Sequence, residues 1–219
     1  SVTDYPLSLT WSEGNRMWDY SWLYGRRLYD YPLGQKFEAY IDIGRQSLWG
    51  LPFLFPNISV VDVRLWSALV LTVPYVLLGW VVFRSRRDHL KTWVWAGLWV
   101  FLFIYQGPIY TPLVLSAILV AGACHKPLWI ALPLIYLAGY YAQLSRLTWM
   151  VAPAMWGVMI ALVDGVSNQE KRLSFKDWAR TFAFGLAGFL GGVGLTRGWR
   201  RVSIFLGRDA RRGTPDVAD

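Results

Sequence analysis

The run "RLWSALVLTVPYVLLGWVVF", Arg64 to Phe83, carries no charge after its first residue. At a rise of about 1.5 Å per residue its length matches a hydrocarbon core of about 30 Å, so it predicts a membrane-spanning helix. The octet after it, "RSRRDHLK", sets Arg84, Arg86, Arg87 and Lys91 against Asp88. A short basic loop between apolar runs belongs on the cytoplasmic side. Residues 1–62 then face outward. They hold seven acids (Asp4, Glu13, Asp19, Asp30, Glu38, Asp42, Asp62) and five bases (Arg16, Arg26, Arg27, Lys36, Arg45), with no apolar run long enough to cross.

Composition agrees with that reading. Of 219 residues, 55% are hydrophobic and 16% charged, and 14 are Trp, a balance that soluble domains seldom combine. The net charge of +8 is spread at the edges of apolar runs instead of forming a continuous patch, which argues against nucleic acid as a partner. The single Cys124, followed by His125, excludes a disulfide within the chain and supplies no metal-ligand set. The chain opens on Ser1 without a signal-like start, and further sequence upstream is expected.

Downstream, "TWVWAGLWVFLFIYQGPIYTPLVLSAILVAGACH" is too long for one span and is broken by "QGP" at residues 106–108. It predicts two short helices, about 92–106 and 109–124. "HKP" at 125–127 turns the chain, "LWIALPLIYLAGYYAQ" crosses, "LSRLTW" turns again, and "MVAPAMWGVMIALV" returns to a charged loop. Pro133 and Pro153 fall inside these helices, where neighbouring helices re-satisfy the freed carbonyls. A last apolar run, about Trp178 to Leu195, holds Gly188 and Gly192 at i, i+4, a spacing that permits close helix contact.

The expected fold is therefore an all-α polytopic membrane protein with about six transmembrane helices, preceded by an interfacial amphipathic helix. Residues 1–62 form the outer loop, 63–196 the helix bundle, and 197–219 a basic tail, in a multi-pass protein of the inner (plasma) membrane. Six spans send that tail outward with six arginines against three aspartates, contrary to the positive-inside pattern. Continuation of the natural chain beyond Asp219 is the favoured resolution.

In the front segment, Trp11, Trp18, Trp22 and Tyr29 recur near helical spacing, with Met17, Leu23, Tyr24 and Leu28 on the same broad face. This pattern predicts a helix from about Asn15 to Tyr29 lying in the membrane interface, where Trp and Tyr rings are favoured. Such a helix could serve as a simple anchor. Glu13 would sit at its start, facing water, where the helix dipole favours an anion. "SEGN" is not a capping box, because Asn15 stands where Glu or Gln is needed.

The stretch "WSEGNRMWDYSWLYGRRLYDYP", residues 11–32, resembles the first outer loop of the membrane-embedded GT-C glycosyltransferases. In that superfamily a span ends in an acidic motif, often Asp-Glu, followed by an aromatic-rich juxtamembrane helix and commonly a nearby Arg. Glu13 matches the second acid and Arg16 the basic residue, at a spacing one residue longer than the common form. Ser12 stands where Asp is usual, with Asp4 as a distant substitute. "YYAQLSRLTWMVAPAMWGVMIAL", residues 140–162, is similar to an SR-x-x-W-x-x-x-P hairpin of large bacterial polytopic proteins of the same type.

The resemblance implies transfer of a sugar from a polyprenyl phosphate at the outer face. Glu13 would activate the acceptor hydroxyl or coordinate a divalent metal, while Arg16 and Arg146 would hold the carrier phosphate. The bland alternative for Arg146 is a cation reaching to the interface from a helix end. The rival reading of the whole chain is a non-catalytic membrane subunit whose Trp-rich helices pack against partner proteins or pigments.

Overall fold

The computed structural model describes residues 3, 4, 13, 16, 17, 20, 21, 43–84, 89–104, 110–167 and 174–194. Among them are seven α-helices and no strand: α1 (Ile43–Trp49), α2 (Val60–Val82), α3 (Leu90–Ile104), α4 (Thr111–Ala123), α5 (Leu128–Ser145), α6 (Ala152–Ser167) and α7 (Phe175–Gly194). Short 3-10 turns at Leu51–Leu54 and Leu147–Trp149 join α1 to α2 and α5 to α6. The "QGP" turn and the basic tail lie outside the described residues.

The long span begins before Arg64. Ser59 and Asp62 form a reciprocal capping box, with Ser59 Oγ accepting from the Asp62 N–H at 3.2 Å and Asp62 Oδ2 accepting from the Ser59 N–H at 3.0 Å. Two of the helix's orphan amides are thereby satisfied. Arg64 is thus already inside the first turns of α2.

Three stretches are long and apolar enough to cross a membrane: Val60–Val82, Leu128–Ser145 and Leu147–Gly165. The expected six are not all of that kind. Helices α3 and α4 have 15 and 13 residues, about 22 and 20 Å of rise, and α7 carries Lys176, Asp177 and Arg180 in its first two turns. The protein is nevertheless of membrane type, since apolar side chains as large as Trp95, Trp129 and Phe182 are exposed along its helices.

Two tight crossings organise the bundle. A Cβ placed on Gly79 of α2 would lie 2.6 Å from the Gly97 Cα of α3, so both positions need glycine for the backbones to touch. On α7, a Cβ on Gly188 would lie 2.7 Å from the Ala154 Cα of α6, and Gly191 and Gly192 abut the backbone of Tyr136 and Met150. The glycines of the last helix pack as the sequence predicts. Around them the core of α4 to α7 is filled by Val120, Ala131, Ile135, Ala138, Ala161 and Phe184. Pro133 does lie within α5, whereas Pro153 is the second residue of α6, a first-turn position where its missing N–H costs nothing.

Candidate functional site

Glu13, Arg16, Met17, Tyr20 and Ser21 are helical, and their spacing of three and four residues puts Glu13, Met17 and Tyr20 on one face. That face is turned to protein. Tyr20 stacks on Trp49 of α1, ring centroids 5.7 Å apart, and joins Phe53, Val63 and Val70 in a buried cluster against which Met17 packs. The other ring-bearing positions of the expected interfacial face, Trp11, Trp18, Trp22 and Tyr29, lie outside the described residues, as do Leu23, Tyr24 and Leu28.

Glu13 does not stand open to water as the sequence suggests. Arg64 Nε donates to Glu13 Oε1 at 2.8 Å and Nη2 donates to Oε2 at 3.1 Å, while Nη1 donates to the Thr3 carbonyl at 2.7 Å. This is the two-toothed arrangement that matches a guanidinium to a carboxylate. The Arg64 side chain is 4% exposed and Glu13 16% exposed. A guanidinium so buried needs a charged and fully bonded partner, because removing a lone charge from water is costly. Sequence reasoning placed Arg16 beside Glu13 as a phosphate-holding cation and did not foresee Arg64, which meets Glu13 from fifty-one positions away; Arg16 is exposed.

Arg146 stands at the same end of the bundle, with α1 lying between it and Arg64. On one side, Trp66 Nε1 of α2 donates to the Leu48 carbonyl of α1 at 2.9 Å. On the other, Tyr141 OH of α5 donates to the Gly44 carbonyl at 3.0 Å, and a Cβ on Gly44 would sit 2.7 Å from the Ser145 N. The SR-x-x-W-x-x-x-P hairpin is a folded corner: Ser145 is buried and donates back to the Tyr141 carbonyl. Arg146, exposed and extended, places its guanidinium 5.8 Å from the Trp149 ring, a cation–π distance. Nearby in the fold, Gln46 Oε1, Trp49 Nε1 and Thr111 Oγ1 are buried with no hydrogen-bond partner among the described residues.

The opposite end carries a second polar cluster that sequence reasoning did not assemble. Arg180 Nη2 of α7 donates to the carbonyls of Cys124 and Lys126, the latter at 3.2 Å, and its guanidinium lies 5.2 Å from the Phe184 ring. His125 Nδ1 is 3.4 Å from Asp164 Oδ2, both side chains more than 40% exposed. With Asp177 these groups line a cavity of about 290 Å³. Arg180 thereby donates to the carbonyl of Cys124 at the end of α4 and to that of Lys126 in the turn that follows. Among the described residues no three His, Cys, Asp or Glu side chains converge as a metal site would require.

Compared with protein-family models, with curated proteins and with solved structures, the chain finds no match. The resemblance to GT-C enzymes therefore rests on the quoted residues alone.

Proposed function

We propose that the chain crosses the inner (plasma) membrane six times, through α2 to α7, with its Glu13 end outward, and transfers a glycosyl group from a polyprenyl-phosphate-linked sugar at that face. One observation carries the reading. A carboxylate is gripped through both oxygens by a buried arginine fork at the bundle's rim and still keeps 16% of its side chain accessible.

The roles follow from charge. The acceptor hydroxyl approaches Glu13, its oxygen bonds to the sugar's anomeric carbon, and its proton passes to the carboxylate. The bond from that carbon to the carrier phosphate breaks, its electron pair leaving with polyprenyl phosphate. Arg16 and Arg146, both exposed at this end, would stabilise the phosphate through charge-assisted hydrogen bonds. The Arg64 fork fixes the position of the Glu13 carboxylate that takes the proton. With both of its oxygens bonded to Arg64, Glu13 does not fit a resident divalent metal, and no step runs through one.

The second reading is a non-catalytic membrane subunit. It is favoured by the same pair seen differently, since a fork that takes both carboxylate oxygens also clamps the front helix onto α2. Turnover separates the two. The full natural chain, purified in lipid and offered polyprenyl-phosphate sugars, should transfer label to an acceptor, and Glu13→Gln should lower the rate at least about a hundredfold. Undiminished turnover in that variant removes Glu13 from the chemistry, and failure of the unmodified protein to bind any carrier selects the subunit reading.

A further inference from the structure

At the end away from Glu13, an apolar groove of about 460 Å³ opens between the last residue of the α2 turn, Phe83, and one face of α3. Thr92, Trp95, Trp99 and Leu102 form its floor at i, i+3, i+7 and i+10, the spacing of a single helical stripe. The stripe runs about 15 Å along the helix. The helices behind it are fixed against each other: α2 and α3 touch backbone to backbone at Gly79 and Gly97, the Trp80 and Trp93 rings stack at 5.4 Å, and Trp93 Nε1 donates to the Trp80 carbonyl at 2.9 Å. The groove is therefore preformed.

At its Phe83–Thr92 end the chain carries charge on either side. Arg84 follows Phe83 and Lys91 precedes Thr92, and both cations are exposed. We propose that this groove is a binding site for an anionic glycerophospholipid, with one acyl chain lying along Thr92 to Leu102 and the phosphate held by Arg84 and Lys91. An apolar trough alone would accept any lipid tail, and the two cations at one end are what select a negative headgroup. They also disfavour a second copy of the chain docked face to face, which would bring a second Arg84 and Lys91 against the first. The inference is independent of the proposed glycosyl transfer and of which way the protein faces.

The test is native mass spectrometry of the full natural chain released from detergent, titrated with phosphatidylglycerol or with phosphatidylcholine of the same acyl composition. Phosphatidylglycerol should be retained on the order of tenfold more tightly. Arg84→Gln combined with Lys91→Gln, both exposed positions, should abolish that preference while phosphatidylcholine retention stays as it was. Thr92→Trp, which fills the mouth, should weaken both lipids. Equal retention of the two lipids by the unmodified protein overturns the proposal, as does a preference that survives the double substitution. So does Thr92→Trp leaving both lipids bound, or a second protein mass on this face that added lipid does not displace.

Discussion

The two ends of the bundle each pair an acid with a base, and they do so in opposite ways. At the Glu13 end the pair is bidentate, 2.8 Å and 3.1 Å, with the arginine 4% exposed and a backbone carbonyl taking its third donor. At the Arg180 end His125 and Asp164 meet through single atoms at 3.4 Å, each more than 40% exposed. Water screens the second pair and is largely excluded from the first, so the two contacts carry unequal weight. Burial decides which pair holds the fold together.

The largest expected effect is therefore that of Arg64→Ala. It removes the hydrogen bonds to both Glu13 oxygens and to the Thr3 carbonyl and takes the Arg64 charge from a partly buried carboxylate, beside the apolar cluster of Tyr20, Trp49 and Phe53. Breaking a buried pair from one side is strongly destabilising, and the thermal midpoint in detergent should fall by about 10 °C. Hydrogen exchange should rise at Met17 and Tyr20 as the front helix undocks. A midpoint shift no larger than that of Asp164→Asn would erase the contrast between the ends.

Between the ends, Gly188→Ala asks whether the two clusters are bolted to one rigid body. The added methyl would lie 2.7 Å from the Ala154 backbone, and α6 and α7 must separate to admit it. The expected cost is about 1 to 3 kcal/mol, read from unfolding in denaturing detergent. An unchanged stability would mean that this crossing yields without cost.

Tyr141→Phe sharpens the comparison within the Glu13 end. It deletes the hydroxyl that donates to the Gly44 carbonyl, the bond joining α1 to the Arg146 corner, and leaves the Arg64 side of α1 untouched. A loss of about 1 kcal/mol is expected from one neutral hydrogen bond. Exchange should rise at Gly44 and not at Leu48. Equal protection at both would show that α1 is held by its apolar contacts alone.

Much of the fold was legible in the sequence because apolar runs and breakers are local signals. The long run containing Arg64 to Phe83, the paired short helices on either side of "QGP" and the packing glycines of the last run all correspond to helices or crossings in the structure. The number of full-length spans was not, since helix ends depend on caps such as Ser59–Asp62 and on polar residues such as Asp177, which hydropathy blurs. The site was half legible. Glu13 stood out as an acid among rings, with Arg16 nearby read as a phosphate-holding cation, and no buried partner for Glu13 was foreseen. Arg64, read as the edge of a span, reaches it across fifty-one residues, and no local pattern announces such a pair. Arg180 was hidden for the same reason, because its acceptors are backbone carbonyls of a distant turn.

The smallest effect is expected of Asp164→Asn, and it bears most directly on the contrast. The substitution keeps the side chain's shape and removes its charge, so it isolates the His125–Asp164 attraction from the packing around it. At 3.4 Å and with both groups more than 40% exposed, that attraction should contribute less than about 1 kcal/mol and should fade further in high salt. The α4–α5 turn should keep its place, because Arg180 still holds the carbonyls of Cys124 and Lys126. The measurement is the unfolding midpoint of Asp164→Asn and of the unmodified chain at low and high salt. A loss well above 1 kcal/mol that salt does not reduce would show the cavity end to be as dry as the Glu13 end, and the energetic asymmetry of the two pairs would disappear.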